Sequence, residues 1–135
     1  MPYRIDRIEG IGASYRERLD AADIKTTADL LARCATARGR KELAAATGLS
    51  EKLLLGWSNM ADMMRVSGVG PQYAELLERA GVDTVKELRT RNAENLAAKM
   101  KQINAEKKLA RSTPAVSAIE RWIAQARTLN PTISH

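Results

Sequence analysis

The chain has 135 residues, enough for one ordinary domain or two small ones, and 44% of them are hydrophobic without a single Phe. Its 22 Lys and Arg against 16 Asp and Glu give a net charge of +6. No apolar run approaches the ~20 residues of a membrane span or the core of a signal peptide, which predicts a soluble, cytoplasmic protein with no membrane partner. One Cys and one His, the latter at the C-terminus, exclude an internal disulfide and argue against a metal site.

Caps and breakers predict helices throughout. The first runs over 13–22 with Tyr15, Leu19 and Ala22 inward, and Asp23-Ile24-Lys25 turns the chain. Thr26 or Thr27 caps a second helix to about Cys34, with Leu30 and Leu31 inward. A third, near 40–47, stops at Gly48, a residue suited to a left-handed C-terminal position. Ser50 caps a long fourth helix to about Met64, whose stripe of Leu53, Leu54, Trp57, Met60, Ala61 and Met64 has a helical period. Pro71 suits the first position of a helix that reaches Ala80 and ends at Gly81. Thr84 caps a helix to about Arg91, Asn92 caps one carrying Leu96 and Met100, and Asn104 caps a short one to about Ala110. Ser112-Thr113-Pro114 breaks the pattern before a last helix from Pro114 to about Leu129. Nothing alternates as a strand would, so the expected fold is all-α.

The chain also repeats itself. The segment from Ile8 through Glu9, Gly10, Ile11, Gly12, Ala13 and Ser14 to Tyr15 recurs from Val66 through Ser67, Gly68, Val69, Gly70, Pro71 and Gln72 to Tyr73. The same offset of 58 relates Glu17, Leu19, Ala22, Thr26 and Leu30 to Glu75, Leu77, Ala80, Thr84 and Leu88. Trp122 is the counterpart of Trp57 after seven inserted residues. Residues 1–65 and 66–135 are therefore read as two units, each closed by a Trp-bearing helix. A lone unit of ~60 residues would hide only ~60% of its unfolded surface, so the two are expected to share a core. In each, two glycines around one aliphatic residue let the backbone turn sharply, bury a side chain and leave bare amides at a helix start, where anions are attracted.

Charge is unevenly distributed. Residues 1–85 hold 12 basic and 12 acidic side chains, whereas 86–135 hold 10 and 4. Lys99, Lys101, Lys107, Lys108 and Arg111 supply half of the basic residues in that second part, which suits a polyanionic partner.

With those residues in view, 8–32 and 66–90 resemble helix-hairpin-helix motifs: an aliphatic residue, any residue, Gly, an aliphatic residue, Gly, then a helix with a small residue four positions on. Val66, Gly68, Val69, Gly70, Ala74 and Leu77 fit fully; the first copy departs by placing Arg16 at the small-residue position. Over its whole length the chain also resembles a bacterial family of unknown function built from two such units. The resemblance implies an all-α array of two tandem helix-hairpin-helix repeats. It also implies non-enzymatic, sequence-independent binding of double-stranded DNA by hairpin amides, with nucleoid association. The residues expected to form the site are Gly10, Gly12, Ser14, Gly68, Val69, Gly70 and Gln72, where Ser14 and Gln72 stand in place of the Lys or Arg common in such hairpins, supported by the charge of Arg7, Arg16, Arg65 and the Lys99, Lys101, Lys107, Lys108 and Arg111 group. The second hairpin, with the full pattern and the neighbouring charge, is expected to be the better phosphate site. The other expectation is a protein-binding adaptor using the hairpins or the Met60, Met63 and Met64 helix.

Trp57, Trp122 and the three methionines are expected in the core, Tyr15 and Tyr73 at its edge, and Cys34 as a small buried residue. His135 is expected to be disordered. Glu17 and Glu75 are expected on separate exposed helix faces. With no internal His, no Ser/His/Asp set and no phosphate-binding Gly-Lys-Ser/Thr run, no catalytic role and no small-molecule cofactor are expected. Either a monomer or a homodimer suits the sequence.

Overall fold

The computed structural model describes residues 2–134, which fold as α-helices and connecting turns with no strand among them; Arg4 and Thr26 form an isolated antiparallel bridge. His135 lies outside the described residues. A 3₁₀ turn at Ile5–Arg7 precedes α1 (Ala13–Ala21), α2 (Thr27–Cys34), α3 (Ala37–Thr47) and α4 (Glu51–Met63). Then come α5 (Pro71–Arg79), α6 (Val85–Leu88), α7 (Ala93–Lys107) and α8 (Val116–Ala126).

Most boundaries have the expected causes. Thr26 is the cap of α2, in a reciprocal box with Asp29: the Asp29 N–H donates to Thr26 Oγ1, and the Asp29 carboxylate accepts from the Thr26 N–H. Ser50 caps α4 through the Leu53 N–H, and Gly48 ends α3 in the left-handed region. α3 starts three residues earlier than expected, because Thr36 accepts from the Gly39 N–H.

Two expectations fail for nameable reasons. α7 runs unbroken through Asn104, whose side chain caps nothing behind it: Oδ1 accepts from the Ala110 N–H and Nδ2 donates to the Ala110 carbonyl, folding the next segment back onto the helix. Thr84 makes no side-chain cap to α6, which ends at Leu88. The Val85 N–H is instead satisfied by the carboxylate of Asp62, at 2.9 Å, from the end of α4. The last helix is also shorter than expected, starting at Val116 and ending at Ala126.

One apolar cluster runs from Ile5 to Ala126 and takes residues from both halves. α4 is the element both halves use: it packs on α2, α3 and α5, while α5 meets α7, and α6 and α7 meet α8. Trp57, Met60, Met63, Met64, Cys34 and Trp122 are all buried, as their apolar spacing requires. Near the C-terminus, residues 130–134 return to the first half. The guanidinium of buried Arg40 donates to the Cys34 and Ser134 carbonyls, and the Ser134 N–H donates to the Ala35 carbonyl. Arg65 donates to Asp62 Oδ1 at 2.7 Å, to Thr132 Oγ1 and to the Asn130 carbonyl.

Candidate functional site

The two glycine turns have the same local geometry. At the first, Gly10 has φ +94°, the Ile11 N–H closes onto the Ile8 carbonyl at 3.2 Å, and Ile11 is buried. At the second, Gly68 has φ +91°, the Val69 N–H closes onto the Val66 carbonyl at 3.1 Å, and Val69 is buried. Each turn rests on a tryptophan from a distant helix. A Cβ added at Gly10 would lie 3.6 Å from Trp57 Nε1, and one at Gly68 only 3.1 Å from Trp122 Nε1. Tyr15 packs edge-on against Trp57 with ring centroids 5.1 Å apart, and Tyr73 tilts against Trp122 at 5.4 Å. The two tyrosines thus belong to the core edge.

The second glycine of each turn has a different character. Gly12 and Gly70 are the N-cap residues of α1 and α5, with extended backbone (φ −86° and −89°) that any residue adopts, and a Cβ at either would meet nothing within 4 Å. Neither conformation nor packing demands glycine there. Its effect is to leave the helix start bare. Helical pairing begins with the Arg16 N–H to Gly12 and the Ala74 N–H to Gly70, so the amides of Ala13, Ser14 and Tyr15 point out of α1, and those of Gln72 and Tyr73 out of α5. Pro71 has no amide to offer. The first helix start therefore presents one more donor than the second.

Supporting side chains divide sharply. Arg7, exposed, lines a cleft of about 370 Å³ with Asp6, Glu9 and residues 70–73, so the two turns lie side by side and Arg7 of the first reaches the helix start of the second. Arg16 extends to Asp6, 3.4 Å away, which Arg4 also approaches. Ser14 and Gln72 are exposed in the first turns of their helices. Val69 contributes only backbone, since its side chain is core. Arg65 is occupied by Asp62 and the C-terminal segment. Lys99 shares a hollow with Ala80 and Gly81, at the end of α5 opposite Gly70. Nine helical residues span about 13 Å, so Lys99 stands away from those amides. Lys101, Lys107, Lys108 and Arg111 are exposed on α7 and just after it.

The model of the family described as a domain of unknown function, DUF4332, matches residues 9–129. The chain belongs to this family. No curated protein and no solved structure matches it. The match takes in both glycine turns and both Trp helices of this DUF4332 chain.

Some features at the site carry no signal in the local pattern. The indole N–H groups of Trp57 and Trp122 lie against the turns, whereas the sequence pattern marks them only as equivalent points on closing helices. Glu75 is not on an exposed face as expected: α4 half-buries it, and with Glu78 and Glu9 it lines a groove of about 610 Å³. Burial pushes the Glu75 carboxyl above its ordinary range, with Glu9 adding to the rise and Arg79 opposing it. Burial likewise raises Glu78, with Asp83 and Glu75 adding and Arg79 opposing. No group of three or more His, Cys, Asp or Glu among the described residues is arranged to hold a metal ion.

Proposed function

We propose that this chain binds the phosphate backbone of duplex DNA through two helix-hairpin-helix units in tandem, without reading sequence and without catalysing a reaction. The observation that carries the reading is the pair Gly12 and Gly70. Each keeps a helix start free of side chain where neither φ nor neighbouring atoms require it. Bare amides and the positive end of the helix dipole suit a phosphate oxygen, and such contacts orient a protein on a duplex without carrying sequence information. The second helix start borders a cleft that Arg7 also lines, which suits a phosphate contact there. Arg16 and the exposed basic residues of α7 supply longer-range attraction, while Arg65 belongs to the scaffold.

The test uses Gly12→Asp and Gly70→Asp. Asp is a favoured N-cap, so thermal stability should hold or rise, while a carboxylate now stands where phosphate would sit. Labelled duplex should bind the parent at roughly 10⁻⁴–10⁻⁶ M near physiological salt. With ~4 phosphates neutralised, log K should fall by about 3.6 per log unit of salt. The double variant should lose that binding with its fold intact. No binding by the parent at low salt, or equal binding by the variant, rejects the reading.

A further inference from the structure

The groove between the first turn, α4 and α5 is chemically distinct from the helix starts. Leu53, Trp57 and Met60 give it an apolar wall, and Leu53 is the exposed large hydrophobic residue among those described, at 37%. Glu9, Glu75 and Glu78 line the same groove, against Lys52 and Arg79. Arg79 lies 3.7 Å from Glu75, whereas neither Glu9 nor Glu78 has an ion-pair partner among the described residues. Glu78 Oε2 is buried without a hydrogen-bond partner, a costly arrangement in a low-dielectric setting. Burial is the main cause that raises the Glu75 and Glu78 carboxyls, and neighbouring carboxylates add to the rise.

At the second turn the corresponding place is bridged by a hydrogen bond. There the Ser67 N–H donates to Gln125 Oε1 at 2.9 Å. The positions matching Ser67 and Gln125 in the first half are Glu9 and Met60, which make no such bond and line the groove instead. Gly56 in α4 keeps it open, since a Cβ there would meet nothing within 4 Å.

We propose that this groove is a docking site for a basic segment of a partner protein, its Lys or Arg paired with Glu9, Glu75 and Glu78 and a neighbouring aliphatic side chain laid on Leu53, Trp57 and Met60. Charge complementarity selects the occupant: an acidic peptide or a phosphate would leave the carboxylates repelled, and a purely apolar one would leave them desolvated. Glu9 also lines the cleft at the second helix start, but the groove's other residues do not, so its test is separate from that of DNA binding.

The test is nuclear magnetic resonance titration of the full chain with a short peptide of alternating Leu and Lys. The chain has two tryptophans, hence two indole N–H signals. The Trp57 signal should shift saturably at roughly 10⁻⁴ M, while that of Trp122 stays put and reports an intact fold. Glu75→Gln with Glu78→Gln should weaken binding about tenfold, the scale of losing charge-assisted bonds. Gly56→Leu, favourable for helix, should fill the groove and abolish the shift. An unmoved Trp57 signal overturns the proposal, as does a shift that survives both substitutions. Equal binding of spermidine overturns it in favour of a small cation. Self-association of the chain alone, lost on the same substitutions, overturns it in favour of a second copy.

Discussion

Residues of the same type carry different duties according to their surroundings. Gly68 combines φ +91° with an indole nitrogen 3.1 Å from where a Cβ would stand, and Gly70 has neither constraint. Gly68→Ala should therefore destabilise by more than about 1 kcal/mol, and Gly70→Ala by clearly less, only through the poorer N-cap that Ala makes, as thermal melts of the two would show. Glu78 gives a second residue-scale prediction, with its sign set by burial. Its folded pKa lies above the ordinary value, so between the two the folded state holds more protons than the unfolded. Stability attributable to it falls as pH rises through that window, and the penalty is complete above the folded pKa. Glu78→Gln should accordingly melt higher than the parent at pH 7, and the advantage should vanish below about pH 4, where both states are protonated. A constant difference across pH would contradict the burial of Oε2. The two glycine types looked identical in the chain, since sequence spacing says nothing of what lies opposite a Cα. The same holds for Glu17 and Glu75: matched by offset, one is exposed and the other half-buried by α4.

At the scale of elements, two matching helix starts are satisfied by different means. α2 is capped locally by Thr26 and Asp29, a threonine and a carboxylate at the spacing of a capping box, and is legible in sequence. The hydrogen bond from the Lys25 amide, joined by that from the Thr26 amide, holds the Asp29 carboxyl below its ordinary range, against an opposing effect of desolvation. α6 has the same Thr at the same offset, yet its start is satisfied by Asp62, 23 residues earlier. Thr26→Ala should thus cost about 1 kcal/mol in denaturant titrations while Thr84→Ala costs appreciably less. Asp62→Ala should cost on the order of 3 kcal/mol, because it orphans a buried amide and leaves the part-buried Arg65 guanidinium without its carboxylate. Comparable losses for the two threonines would show that Asp62 does not replace the local cap. Local rules also placed Asn104 at a helix start; its side chain instead holds the segment after α7, a choice made by the turn at Ala110 rather than by the helix itself.

Across the whole molecule, Arg40 and Arg65 tie residues 130–134 to the first half, with 94 residues separating Arg40 from Ser134. Removing residues 130–135 leaves both guanidiniums short of acceptors, so the melting temperature should drop by several degrees while far-ultraviolet helicity below the transition is retained. An unchanged melt would mean that the segment contributes nothing to holding the halves together. By itself, the sequence determined the helical class, most caps, the 58-residue offset between the glycine turns and the presence of one Trp-bearing helix in each half. These follow from periodicity, capping and backbone chemistry, which act over a few residues or repeat with them. Only the tertiary structure decided that the two turns flank one cleft, that Lys99 stands at the far end of α5, and that Arg65 serves the scaffold. The same is true of the carboxylate-lined groove beside the first turn and of the Ser67–Gln125 hydrogen bond at the second. Each depends on which surfaces meet across long stretches of chain, where burial and opposing charge, rather than spacing, set what a side chain can do.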